Sequence, residues 1–115
     1  MRRVLRLLPE AELELEEAFF WYERQRPGLG LEFLLAFDAA VENIRRLPES
    51  RELVALKTRR ILLRRFPYFI LYTFSEHEVL VTSLFHLRRD PRSWSDRVRE
   101  VAPLERWAMS TSRHN

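Results

Sequence analysis

Residues 58–86, TRRILLRRFPYFILYTFSEHEVLVTSLFH, decide the fold. They are rich in Ile, Leu, Val, Phe, Tyr and Thr, the side chains that suit a pleated, half-buried surface. Pro67 and the polar loop Ser75-Glu76-His77-Glu78 divide them into the runs 58–66, 68–74 and 79–86. That division predicts three consecutive antiparallel strands. In the first run Arg60, Leu62 and Arg64 share one face, and Arg59, Ile61, Leu63 and Arg65 share the other. Both faces therefore hold apolar residues, as expected of a sheet covered on one face and offering the other, concave and partly open, to a partner.

Upstream the period changes from two to between three and four. Pro9 opens a helix in which Ala11, Leu15, Ala18, Phe19 and Tyr22 form one stripe up to about residue 26. Glutamates 10, 12, 14, 16 and 17 crowd its start, where the helix dipole favours negative charge. Pro27-Gly28-Leu29-Gly30 holds both glycines of the chain and ends that helix in a tight turn. Phe33, Leu34, Phe37, Val41, Ile44 and Leu47 form the stripe of a second helix over residues 31–47, closed by Pro48. Residues 4–8 read as a short first strand whose partner the sequence leaves open. The order is β-α-α-β-β-β: an α+β domain with a helical hairpin packed on one face of a small, mainly antiparallel sheet. The tail from Arg88 onward is charged, with a short helix expected over 95–101 and disorder over about the last eight residues.

Composition narrows the chemistry. At 115 residues, 46% hydrophobic and 12% aromatic, the chain holds one domain with a real core. It has no cysteine, which removes thiolate metal sites and cysteine nucleophiles and suits a reducing cytoplasm. The apolar segment after the opening arginines ends at Pro9 with no small-residue cleavage site, so no secretory leader is expected. No apolar run approaches the ~20 residues of a membrane helix. Two glycines two positions apart make no phosphate-binding loop, and the three histidines lack metal-ligand spacing. No cofactor and no metal are expected.

Charge is uneven. Residues 1–57 carry nine basic and eleven acidic side chains, whereas residues 58–115 carry eleven and six. Of the twenty cations nineteen are arginine, so any cationic chemistry here belongs to guanidinium groups, which fork onto phosphate or carboxylate. The candidate surface comprises Arg59, Arg60, Arg64 and Arg65 on one strand, and His86, Arg88, Arg89 and Arg92 where the last strand ends. Tyr68, Tyr72 and Phe85 interleave with them. Such a surface meets the electrostatic demand of a nucleic acid or of an acidic protein segment, and mere solvation of the sheet rim explains it as well. His86 is the proton carrier nearest the arginines, whereas a histidine bonded to a carbonyl is the commoner arrangement.

The first strand, Pro9-Glu10-Ala11 running into Trp21-Tyr22, then Arg26-Pro27-Gly28-Leu29-Gly30, Phe33-Leu34, Arg64-Arg65-Phe66-Pro67-Tyr68, Tyr72, His86, Arg88-Arg89-Asp90-Pro91 and Trp94 recur in a familiar order. Over residues 4–94 the chain resembles the RelE/ParE toxin superfamily, and within it the ParE-like branch often described as plasmid stabilisation proteins. The resemblance implies a toxin domain over 1–94 and a charged, partly disordered extension over 95–115. It implies a cytoplasmic, growth-inhibiting type II toxin, assembled with and neutralised by a cognate antitoxin whose flexible segment lies over the helical hairpin and sheet. ParE-like members poison DNA gyrase. RelE-like members cleave messenger RNA on the ribosome without metal, and for them the resemblance implies catalytic roles for His86, Arg65 and Arg89. Arg59, Arg60, Arg64, Arg65, Tyr68, Tyr72, Arg88, Arg89 and Arg92 would then contact the target. The chain departs from the ribonuclease pattern: it lacks the lysine pair, and no tyrosine follows Tyr72. Metal-free RNA cleavage needs one proton taken and one given as well as phosphorane stabilisation, and arginines serve only the last. The sequence therefore favours the gyrase-directed reading. The ribonuclease, and an inactive relative that acts only through its antitoxin in autoregulation, are the alternatives.

Overall fold

The computed structural model describes residues 2–88. The chain begins with β1 (Val4–Leu7) and turns at Pro9 into α1 (Pro9–Gln25). Proline suits the first helical turn, where its missing N–H has no intrahelical partner to lose. Gly28 turns the chain at φ 90°, a conformation that costs glycine nothing, and α2 (Leu29–Arg46) starts at once. It starts two residues earlier than the apolar stripe predicts because the Glu23 carboxylate accepts hydrogen bonds from Gly28 N and Gly30 N, both 3.0 Å, and so caps the new helix. Gly30 is where the two helices meet: a Cβ there would lie 2.8 Å from the Phe19 carbonyl oxygen and 2.8 Å from the Phe19 ring.

A 3₁₀ turn (Pro48–Ser50) leads into β2 (Glu52–Leu53), β3 (Arg59–Leu62), β4 (Tyr68–Phe74) and β5 (Glu78–His86). The sheet order is β1-β5-β4-β3-β2. β2 to β5 pair antiparallel, and β1 pairs parallel with β5, Val4 opposite Glu78. The two-residue β2 sits in a polar stretch without alternation, so periodicity gave no sign of it. Where β1 ends, the Glu14 carboxylate of α1 takes over as partner of the β5 edge, accepting from Leu84 N at 3.0 Å and Ser83 Oγ at 3.3 Å.

The first predicted strand is shorter than its apolar run. It stops at Leu62 because the chain turns back through residues 63–67: Leu63 N donates to Tyr68 O at 2.9 Å, Arg65 takes a left-handed φ of 74°, and Pro67 has no N–H for a ladder. The alternation expected through Arg64 and Arg65 therefore ends at Leu62.

The helical hairpin covers one sheet face. Phe33, Phe37, Val41 and Ile44 of α2 and Ala11, Ala18 and Tyr22 of α1 pack with Ile61, Ile70, Tyr72, Val79, Val81 and Leu84. Tyr22, Phe33, Phe66 and Tyr68 meet with ring centroids 4.9 to 6.2 Å apart. The opposite face holds a second cluster, Phe69, Leu71 and Phe85, which is buried rather than partly open as the sequence led us to expect.

Candidate functional site

The candidate residues divide between the two ends of the sheet. Strand alternation sends Arg59 and Arg60 to opposite faces. On the hairpin side, Arg59 Nη1 donates to the carbonyls of Arg51 at 2.7 Å and Glu49 at 3.2 Å. On the other side, Arg60 Nε pairs with Glu52 of β2 at 2.8 Å, and its guanidinium lies 5.6 Å from the Phe69 ring centroid. Tyr72 is fully buried beside Arg59, and its hydroxyl donates to Pro48 O at 2.6 Å. Burial pushes that phenol up to about 12, against the pull of Arg59 and Arg51.

Arg64, Arg65, Tyr68, His86 and Arg88 gather at the other end. The link is local: Tyr68 and His86 are register partners across β4 and β5, and Leu87 N donates to Pro67 O at 2.9 Å. This brings the turn after β3 beside the exit of β5. Tyr68 is buried, and the His86 ring meets it edge-on at 4.8 Å. His86 Nδ1 accepts the Arg88 N–H at 2.9 Å. Arg65 Nη2 pairs with Glu32 Oε1 at 2.8 Å. That bond, aided by Arg26 and opposed by desolvation, holds the Glu32 carboxyl below its ordinary value. Arg89 and Arg92 lie outside the described residues.

One feature escaped the sequence reading. A groove of about 710 Å³ runs between α2 and β3. Its floor is the small-residue stripe Ala36, Ala39 and Ala40, its walls are Leu35, Ile61 and Leu62, and its ends carry Arg51 and the pair Arg64 and Arg65. Leu35 and Leu62 are 59% and 57% exposed, so two large apolar side chains face solvent across the groove. β2 pairs with β3 only opposite Arg59 and Arg60, which leaves the sheet edge at Ile61 and Leu62 without a further strand among the described residues. Apolar walls, an open strand edge and cationic ends suit an amphipathic segment with acidic flanks, taken as a helix or as an added strand. The available signal is the alanine stripe, which stands between the larger apolar residues that define the helix.

Among the described residues no helix is long and apolar enough to cross a membrane, and no cluster of three or more His, Asp or Glu forms a metal-binding group. No protein-family model and no curated protein matches the chain. Among solved structures, a chain of the "Chromosomal ParDE TA system from P. aeruginosa" is similar at TM-score 0.66 and 14% identity. The match covers 76% of this chain and 98% of that one. Two helices on a five-stranded, mostly antiparallel sheet thus form the same α+β fold as that chain, the fold that the sequence resemblance implies.

Proposed function

We propose that the chain is the toxin of a type II toxin–antitoxin system, that its antitoxin seats in the groove between α2 and β3, and that it inhibits growth by a ParE-like, gyrase-directed action. The observation that carries the first two parts is the groove itself. A small domain that turns Leu35 and Leu62 toward solvent between arginines is matched to an amphipathic, acidic segment, and the similarity to a chain of a ParDE system supports an antitoxin as its source.

The preference for a non-nucleolytic action rests on proton inventory. Nδ1 of His86 already accepts a backbone N–H, and the Arg65 charge is shared with Glu32. Such a site binds anions better than it moves protons. The RelE-type reading rests on the gathering of His86, Arg64 and Arg88 at one end of the sheet. Arg65 and Arg89 belong to the proposed target surface in either case.

Brief induction of the chain in a bacterial host separates the readings. Messenger RNA cleavage is followed by primer extension, and DNA supercoiling and the DNA-damage response are followed in the same cultures. A damage response with intact transcripts is the expected result. Cuts within translated codons that disappear with His86→Ala would establish the ribonuclease instead. Normal growth with neither signal would leave the inactive relative.

A further inference from the structure

The turn between β3 and β4 is strained at one residue. Among the described residues other than glycine, Arg65 alone has a left-handed backbone, at φ 74°, which presses its Cβ toward the following carbonyl oxygen. Such a conformation persists only where its surroundings hold it. The backbone on either side is fixed: Leu63 N donates to Tyr68 O at 2.9 Å, and Tyr68 N donates to Phe66 O at 2.8 Å. Phe66 is anchored in turn, its ring centroid 4.9 Å from that of Tyr22 and 5.2 Å from that of Phe33. The Arg65 side chain is held by Glu32 of α2, Nη2 to Oε1 at 2.8 Å, and Arg26 steadies the other carboxylate oxygen at 3.3 Å.

Two sites share this turn. On one side Arg64, Arg65 and Glu32 line the groove between α2 and β3. On the other the backbone runs straight into the basic end: Pro67 O accepts from Leu87 N at 2.9 Å, and Tyr68 is the register partner of His86, ring to ring at 4.8 Å. Every step from Arg65 to His86 is thus a peptide bond, a main-chain hydrogen bond or a ring contact. Strain at one residue and a solvent-exposed ion pair are of comparable size, so the hold of Glu32 on the turn is decisive yet readily exchanged.

We propose that Glu32 is a positioning residue for the basic end: by holding the Arg65 guanidinium from α2, it keeps the turn left-handed, Pro67 O on Leu87 N and Tyr68 against His86. It acts through the backbone of another segment and touches none of the three. The groove and the basic end are coupled by the same pair, because a carboxylate that enters the groove and takes Arg65 from Glu32 releases the turn. Glycine adopts a left-handed backbone without strain, so a glycine at position 65 needs no such hold. That distinguishes a latch on a strained turn from an ion pair that merely adds stability, since the ion pair is lost whatever small residue replaces the arginine. The inference rests on this geometry alone and holds whatever fills the groove and whatever the basic end contacts.

Amide hydrogen exchange of the full-length chain, read residue by residue by NMR, tests the latch. Leu63 N and Leu87 N report the turn and the basic end, and Leu8 N, which donates to Val81 O at 2.9 Å on the β1 edge of the sheet, reports opening of the whole fold. Glu32→Gln and Arg65→Ala are each expected to speed exchange at Leu63 and Leu87 about tenfold and to leave Leu8 unchanged. Arg65→Gly is expected to keep both amides within about twofold of the parent chain, and adding Glu32→Gln to it should change nothing further. Unchanged exchange at Leu87 in Glu32→Gln or Arg65→Ala overturns the proposal. So does equal acceleration in Arg65→Ala and Arg65→Gly, or acceleration that extends to Leu8.

Discussion

Arg65 and Glu32, 33 positions apart in the chain, meet in a 2.8 Å ion pair that ties the turn after β3 to the first helical turn of α2. Arg26 reaches the other oxygen of the same carboxylate at 3.3 Å, so three segments converge on one acid. The arginine most prominent in the sequence is thus held by a clamp at the rim of the groove. A partner that offers its own carboxylate to Arg65 competes with Glu32 for it.

The clamp makes stability depend on acid. Because Glu32 is held below 4.5, chiefly by Arg65, the folded state takes up its proton less readily than the unfolded chain. Its contribution is complete above the ordinary value and is lost as pH falls through the lower, folded one. Melting curves between about pH 3 and pH 7 should show a smaller acid-side loss for Glu32→Gln than for the parent chain. Identical acid limbs would show that the pair contributes nothing. The pair is exposed to solvent, so the difference is expected to be small.

Tyr72 carries the reverse dependence. Its phenol is raised to about 12, so its contribution is complete below the ordinary 10.0 and is lost as pH rises through the folded value. Tyr72→Phe removes the donor from the Pro48 carbonyl and leaves that acceptor buried, which should cost about 1–3 kcal/mol in denaturant titration. A spectrophotometric titration should show a tyrosine step near the raised value, and that late step should vanish in Tyr72→Phe.

Gly30 and Gly28 should fail for different reasons. Gly30→Ala drives a methyl into the Phe19 backbone carbonyl, which cannot move without shifting α1, and should cost about 1–3 kcal/mol. Gly28→Ala meets no atom and pays only for its left-handed backbone, about 1 kcal/mol. Equal losses in chemical denaturation would contradict that division.

Leu35→Asp tests the groove. Leu35 is exposed, so the substitution should leave the melting temperature of the isolated chain nearly unchanged, within about 0.5 kcal/mol. It should nevertheless abolish copurification with the protein encoded beside this chain. Retained copurification would move the partner's seat elsewhere.

Much of this architecture could be read before any coordinates. The stripes through Tyr22 and Phe33, the paired glycines and the β run from Thr58 to His86 gave the hairpin, the three central strands and their order, because each rests on a local period. Tyr68 and Tyr72, named in the sequence among the target contacts, lie on the face that the helical hairpin covers, and a period of two does not by itself say which face that is. Arg65 was assigned a strand face that it does not have, because its left-handed backbone is a response to the turn at Pro67 rather than to its neighbours' periodicity. The groove was harder still. It exists because β2 stops after two residues and α2 presents alanines beside β3, a relation between segments that no single window contains.

The parallel pairing of β1 with β5 sets an order of events. Val4 waits for Glu78, so the first strand made has no partner until the last is complete, whereas α1 and α2 are neighbours in the chain and can pack as soon as both exist. A chain interrupted before β5 therefore has its helices and can pair β2, β3 and β4, but it leaves β1 unpaired and lacks His86 and Arg88, which complete the basic end beside Tyr68. The basic end is therefore assembled last, when nearly all of the described residues have been synthesised.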